Sequence, residues 1–139
     1  MKEMSFQVLQ TAIATFVNPV VAGLDYRIKT RELIIYYHSN GDEDVDYHIV
    51  FKNPRGFKLL DEGDMINYWE VLWKMKLLPV NALFEVQSGG WLDMEDDAGG
   101  FTSKILDCQE FLITGQDDCV SVLSFDVPTI KRIDNRKNS

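Results

Sequence analysis

Asp93, Glu95 and Asp97 stand at alternate positions, the spacing at which a calcium-binding loop supplies its first three ligands. The sixth position of such a loop needs a glycine for its sharp turn, and the twelfth needs a bidentate glutamate. Ala98 and Lys104 stand there instead. Asp42, Asp44 and Asp46 repeat the spacing and fail at the same two places, at Tyr47 and Asn53. The template rejects both stretches, and neither a metal nor any other cofactor is expected.

Carboxylate pairs can also act as general acid and base, but acids on turns and short helices are ordinarily solvated and nothing singles out a pair here. His38 and His48 fall on neighbouring predicted strands and can meet across a sheet, an arrangement more often structural than catalytic. Cys119 follows Asp117-Asp118, whose negative charge raises a thiol pKa rather than lowering it. Cys108 and Cys119 bracket a predicted hairpin, so their spacing allows a cross-strand disulfide. One pair is no disulfide framework, however, and two buried thiols in a reducing compartment are the simpler expectation. No Gly-x-Ser-x-Gly elbow, phosphate loop, His-Glu-x-x-His or dinucleotide fingerprint occurs. A non-catalytic protein is expected. The alternative, an enzymatic or small-ligand domain with a pocket beside Tyr68, Trp69 and Trp73, would be favoured by a deep pocket lined by Tyr36, His38, His48 and Trp69.

Charge carries more information than any motif. Glu85 to Asp118, 34 residues, holds nine acids and one base, Lys104, for a net −8, which is the net charge of the whole 139-residue chain. The remainder balances, thirteen acids against thirteen bases. Charge segregated in this way makes a directional field that attracts cationic partners and repels phosphate. The bases are scattered over residues 27–31, 52–58 and 131–137, so no nucleic-acid footprint forms.

Within the acidic stretch, Gly89-Gly90 and Gly99-Gly100 bracket Trp91 to Ala98 and set it apart as a projecting loop or short helix. Trp91, Leu92 and Met94 read most simply as inward anchors beneath a solvated acidic face. The sharper reading makes Trp91 or Met94 an exposed hot spot ringed by Asp93, Glu95, Asp96 and Asp97 and aimed at a basic protein. Asp117 and Asp118, on the following hairpin tip, extend that patch if both turns emerge at one end of the sheet. The expected partner-binding residues are therefore Trp91, Asp93, Glu95, Asp96, Asp97, Asp117 and Asp118.

The order Phe84-Glu85-Val86, Gly89-Gly90-Trp91-Leu92, Glu110 to Gly115, Val120 to Ser124 and Pro128 resembles a recurring C-terminal half among the small acidic immunity proteins of bacterial polymorphic and contact-dependent toxin systems. The resemblance covers roughly the last 60 residues and rests mostly on core-strand patterns. It implies an inhibitor that binds a cognate toxin with a basic surface, often a nuclease, and covers its active site with carboxylates in place of phosphates. A DNA-mimicking anti-nuclease protein of a phage or mobile element shares the acid logic, but acids spread along an elongated surface would suit it better.

These residues need a scaffold, and the chain predicts an α+β domain with a mainly antiparallel sheet. Phe6, Leu9, Ile13, Phe16 and Val17 recur at helical spacing and predict a helix over residues 5–17, with Ser5 as cap. The period then falls to 2. Strands are expected at Leu24 to Ile28, Leu33 to His38, Val45 to Phe51 and Phe57 to Leu60, in a four-strand antiparallel meander. A helix over about residues 64–75 follows, with Asp61 or Asp64 as cap, and both helices pack on the sheet. Further strands are expected at Ala82 to Gln87, Phe111 to Thr114, Cys119 to Phe125 and Thr129 to Ile133. Residues 1–133 form one domain of ordinary size, and 134–139 a polar tail. The N-terminus lacks the apolar core of a signal peptide, and no run of about 18 apolar residues occurs. A cytoplasmic protein with no membrane partner is the expectation; oligomeric state is left open.

Overall fold

Leu33, Ile35 and Tyr37 are fully buried while Tyr36 and His38 on the same strand are not, and this alternation locates the core between two sheets. In the computed structural model, which describes residues 3–9, 18–40, 44–79, 81–100 and 106–133, nine strands and two α-helices are present among the described residues. The strands are β1 (Ser5–Val8), β2 (Val20–Arg27), β3 (Glu32–Asn40), β4 (Asp44–Lys52), β5 (Gly56–Asp61), β6 (Leu83–Ser88), β7 (Gln109–Ile113), β8 (Asp118–Ser124) and β9 (Thr129–Ile133). The helices are α1 (Ile66–Lys74), entered through a 3-10 turn at Glu62–Asp64, and α2 (Trp91–Ala98).

One sheet has the order β1-β6-β7-β8-β5 and the other β2-β3-β4-β9; every pairing in both is antiparallel. They pack face to face through Leu33, Ile35, Tyr37, Tyr47, Ile49 and Phe51 on one side and Leu83, Phe111, Ile113, Val120 and Val122 on the other. Phe51 and Phe111 meet across this layer with ring centroids 5.6 Å apart, within the range of favourable tilted contacts. The far face of the five-stranded sheet carries Phe84, Val86, Leu112 and Cys119, and α1 covers it with Met65, Tyr68 and Leu72. The fold is thus a two-sheet sandwich with helices on one outer face. It is an α+β architecture, richer in sheet than the sequence reading.

Three expectations are corrected. Ser5 to Val8 is a strand and not the start of a helix. Phe6 is buried against Tyr68 and Phe84, while Ser5 and Gln7 bond laterally to Ser88 and Gln87 on β6. Two residues of alternation suffice once a neighbouring strand offers its edge, and tertiary pairing overrides the helical period. Residues 10–17 of the expected helix, residues 41–43 between two of the expected strands and the tail at 134–139 lie outside the described residues.

The four-strand meander breaks after β4. The turn at Asn53, with φ of 54°, sends β5 into the other sheet to pair with β8, and β9 takes the place beside β4. Asp61 caps the 3-10 turn by accepting from Gly63 N at 2.8 Å. The α1 N-cap itself is Met65, without a side-chain cap bond, so Asp64 is not its cap.

Candidate functional site

Register decides whether the acidic turns meet. Val86 pairs with Glu110, and Leu83 with Ile113 and through it Val120. The helix α2 follows Ser88 and sits at one end of the sheet; the β7–β8 turn bearing Asp117 and Asp118 sits at the other. Five residues of strand at about 3.4 Å each separate the two ends. The two turns emerge at opposite ends, so Asp117 and Asp118 do not extend the α2 patch.

Around α2 the inward residues are tightly held. Glu110, 1% exposed, rises from β7 beneath the helix N-terminus. Leu92 N donates to its Oε1 at 2.9 Å, and the Tyr68 hydroxyl donates to its Oε2 at 2.9 Å. Trp91 N in turn donates to the Tyr68 oxygen at 3.0 Å. A carboxylate here satisfies orphan helix N–H groups and suits the positive end of the dipole. Burial pushes the Glu110 carboxyl above its ordinary range, against these hydrogen bonds and the Lys58 charge, which hold it down. Burial likewise raises Tyr68, with the Glu110 charge adding to the effect. Gly90 permits the approach, since a Cβ there would stand 2.7 Å from Glu110 Oε1 and from Val86 Cγ1.

The acidic segment then divides by role. Asp93 is buried, 7% exposed, and its carboxylate accepts from Gly89 N at 2.7 Å, a reach-back of the capping-box kind. Its carboxylate is therefore part of the helix start rather than of an acidic rim. Trp91 is half-buried against Leu92, Cys108 and Leu123, with the Lys58 ammonium 4.6 Å from its ring centroid, so it is an anchor and not an exposed hot spot. Met94 is 57% exposed. Glu95 and Asp96 are partly exposed and Asp97 is exposed, all in the second half of the helix, whose last turn holds no base.

Asp117 and Asp118 gather different company. Asp118 stands directly opposite Asp61 across the β5–β8 pair, and Glu62 N donates to Asp117 O at 2.8 Å. Asp61, Glu62, Asp117 and Asp118 thus form a second acidic end. Counting charge along the chain hides it, because Asp61 and Glu62 lie in the stretch that balances to zero. Beside this end an open cleft of about 500 Å³ is lined by Trp69, Trp73, Pro19, Pro79, Leu78, Glu62 and the amides Asn18, Asn81 and Gln116.

The other chemical candidates separate. His38 pairs with Asp46 (Nδ1 to Oδ1, 2.6 Å) and His48 packs edge-on to Tyr36, so the two histidines are not each other's partners. They lie on the outer face of the four-stranded sheet, whereas Trp69 lies beyond the five-stranded one, so no pocket unites them. Cys108 and Cys119 are both buried free thiols at opposite ends of the β7–β8 hairpin, which removes the disulfide option. Burial pushes the Cys119 thiol up to about 11, with Glu62, Asp118 and Asp61 adding to it. Among the described residues no group of three or more His, Cys, Asp or Glu is placed to hold a metal ion, and no helix is long and apolar enough to cross a membrane.

Sequence reasoning missed Glu110 and Tyr68. The one available signal was a lone carboxylate leading into the apolar run Phe111-Leu112-Ile113. No protein-family model, curated protein or solved structure matches this chain.

Proposed function

We propose that the protein is a non-catalytic binding protein that captures a basic protein partner through the exposed half of α2, and that its role is to neutralise that partner as an immunity protein neutralises its toxin. The observation that carries the reading is the placement of Glu95, Asp96 and Asp97. They fall in the half of the helix where the dipole disfavours anions and whose last turn holds no base, while Lys58 on β5 faces Glu95 from the sheet. Three carboxylates grouped on one exposed half-helix make a local negative field that draws a cationic partner. The helix carrying them is fixed to the sheet through Trp91, Leu92, Asp93 and Glu110, so little freedom is lost on association. Exposed Met94 supplies an apolar contact among the carboxylates. A cytoplasmic location suits the two free thiols. A DNA-mimicking surface fits less well, because the acids of α2 and those of the β7–β8 turn stand at two separate ends and not along one elongated face.

The test is a paired capture from cells that make the protein, using immobilised wild type and the Glu95→Lys/Asp96→Lys/Asp97→Lys variant. Retention of a basic protein by wild type alone supports the reading. Equal retention by both, or a partner without a basic surface, sinks it.

A further inference from the structure

We propose that the cleft beside α1 is a second docking site, and that its occupant is an extended, arginine-bearing segment of a partner protein. The cleft lies at the opposite end of the five-stranded sheet from α2, so the inference does not rest on the α2 reading. Its walls are rigid apolar surfaces. Trp69 is held by its own Nε1–H, which donates to Glu62 O at 2.7 Å. Trp73, one turn further along α1, is 57% exposed. An exposed indole in a cleft that also holds a second indole and two prolines costs stability in water and gains from a covering ligand.

Charge selects the occupant. Among the described residues Glu62 is the only ionisable side chain lining the cleft; Asp61 precedes it in the chain, Glu62 N donates to Asp117 O, and Asp118 pairs with Asp61 across β5 and β8. The nearest bases along α1, Lys74 and Lys76, are not among the lining residues. Asp61 and Asp118 face one another directly across the β5–β8 pair and add to the negative potential at this end of the sheet. A guanidinium fits both demands at once, since its plane stacks on an indole face while its N–H groups reach carboxylates. The rim is polar but neutral. Asn81 Nδ2 donates to Leu77 O at 3.0 Å, which steadies the amide at the cleft edge, and the amides of Asn18 and Gln116 stand with it. Such groups suit the backbone of an extended chain better than a folded face.

The probe is a dye-labelled decapeptide of alternating arginine and glycine, read by fluorescence anisotropy, with glutamate-for-arginine and lysine-for-arginine versions beside it. The expected result is binding of the arginine peptide, weaker binding of the lysine peptide and none of the glutamate peptide. Trp73→Ala weakens the arginine peptide about tenfold, the scale at which an interface tryptophan counts, and Trp73→Phe weakens it less. Asp117→Asn/Asp118→Asn weakens it and flattens its salt dependence, whereas Glu95→Lys/Asp96→Lys/Asp97→Lys leaves it within about twofold. Trp73 is exposed enough that its variants keep the fold, which thermal melting verifies. Unchanged affinity in Trp73→Ala overturns the proposal, as does loss of binding on α2 reversal alone or equal binding of the glutamate peptide. Self-association that disappears in Trp73→Ala also overturns it, by making a second copy of this chain the occupant.

Discussion

The Tyr68 hydroxyl on α1 donates to the Glu110 carboxylate on β7 at 2.9 Å, and through that contact one helix fixes the start of the other. Trp91 N reaches the Tyr68 oxygen and Leu92 N reaches Glu110, so the N-terminus of α2 is read by a buried acid and a buried phenol. Glu110→Ala leaves the Tyr68 hydroxyl and Leu92 N without their acceptor in a closed site. It should cost about 2–3 kcal/mol, measured by urea unfolding. A cost near zero would show that water replaces the carboxylate without penalty.

The pH dependence of that carboxylate has a definite sign. Burial raises its pKa in the folded state, so the folded protein holds this proton more tightly than the unfolded chain does. Its contribution is complete below the unfolded value of about 4.5 and declines as pH rises through the folded value. Glu110→Gln does not titrate. Its stability relative to wild type should therefore improve as pH rises above about 4.5 and level off once the folded value is passed. A difference that is flat with pH, or that moves the other way, contradicts a raised pKa.

Gly90→Ala tests the closeness of the same packing. Gly90 has φ of −96°, which any residue adopts, so strain is not the issue. The added Cβ would stand 2.7 Å from both Glu110 Oε1 and Val86 Cγ1. A loss of about 1–3 kcal/mol is expected, with the α2 end loosening first in hydrogen exchange.

Much of this scaffold is legible in the residues. The continuous apolar-aromatic run of Leu33 to His38 and the alternation of Val45 to Phe51 mark the inner strands, and the period of Met65, Tyr68 and Leu72 marks α1. What is not legible is pairing over distance. Phe57 to Leu60 looks the same whether it extends a meander or crosses to another sheet, and only the partner β8, about sixty residues on, decides. The acids suffer from the same limit. Asp117 sits close to Asp96 in sequence and at the far end of the sheet from it, while Asp61 lies far off in sequence and directly opposite Asp118. Asp93 looked like its neighbours Glu95 and Asp97, yet the helical turn points it at Gly89 N.

The buried thiols should be inert in the folded state. Cys119, with its pKa pushed up to about 11, and Cys108, raised by burial, expose little thiolate at pH 8. Reaction with a disulfide reagent should run roughly a hundredfold or more slower than in urea. Rapid native reaction of either thiol would mean that its end of the sheet opens readily.

Asp97→Lys places a cation in the last turn of α2, where the dipole favours it. Stability should rise by about 0.3–1 kcal/mol at low salt, even as partner binding weakens. A loss of stability instead would show that Asp97 is not held against the interest of its own helix.

The most direct measurement is the association rate of the captured partner with wild type and with Glu95→Lys/Asp96→Lys/Asp97→Lys across ionic strength, by stopped flow. An acidic face that steers a basic partner predicts an on-rate for wild type that falls steeply as salt rises from roughly 20 to 300 mM, and one that is slow and nearly salt-independent for the variant. Equal rates for the two proteins, unmoved by salt, would contradict the claim that the exposed carboxylates of α2 are the binding face.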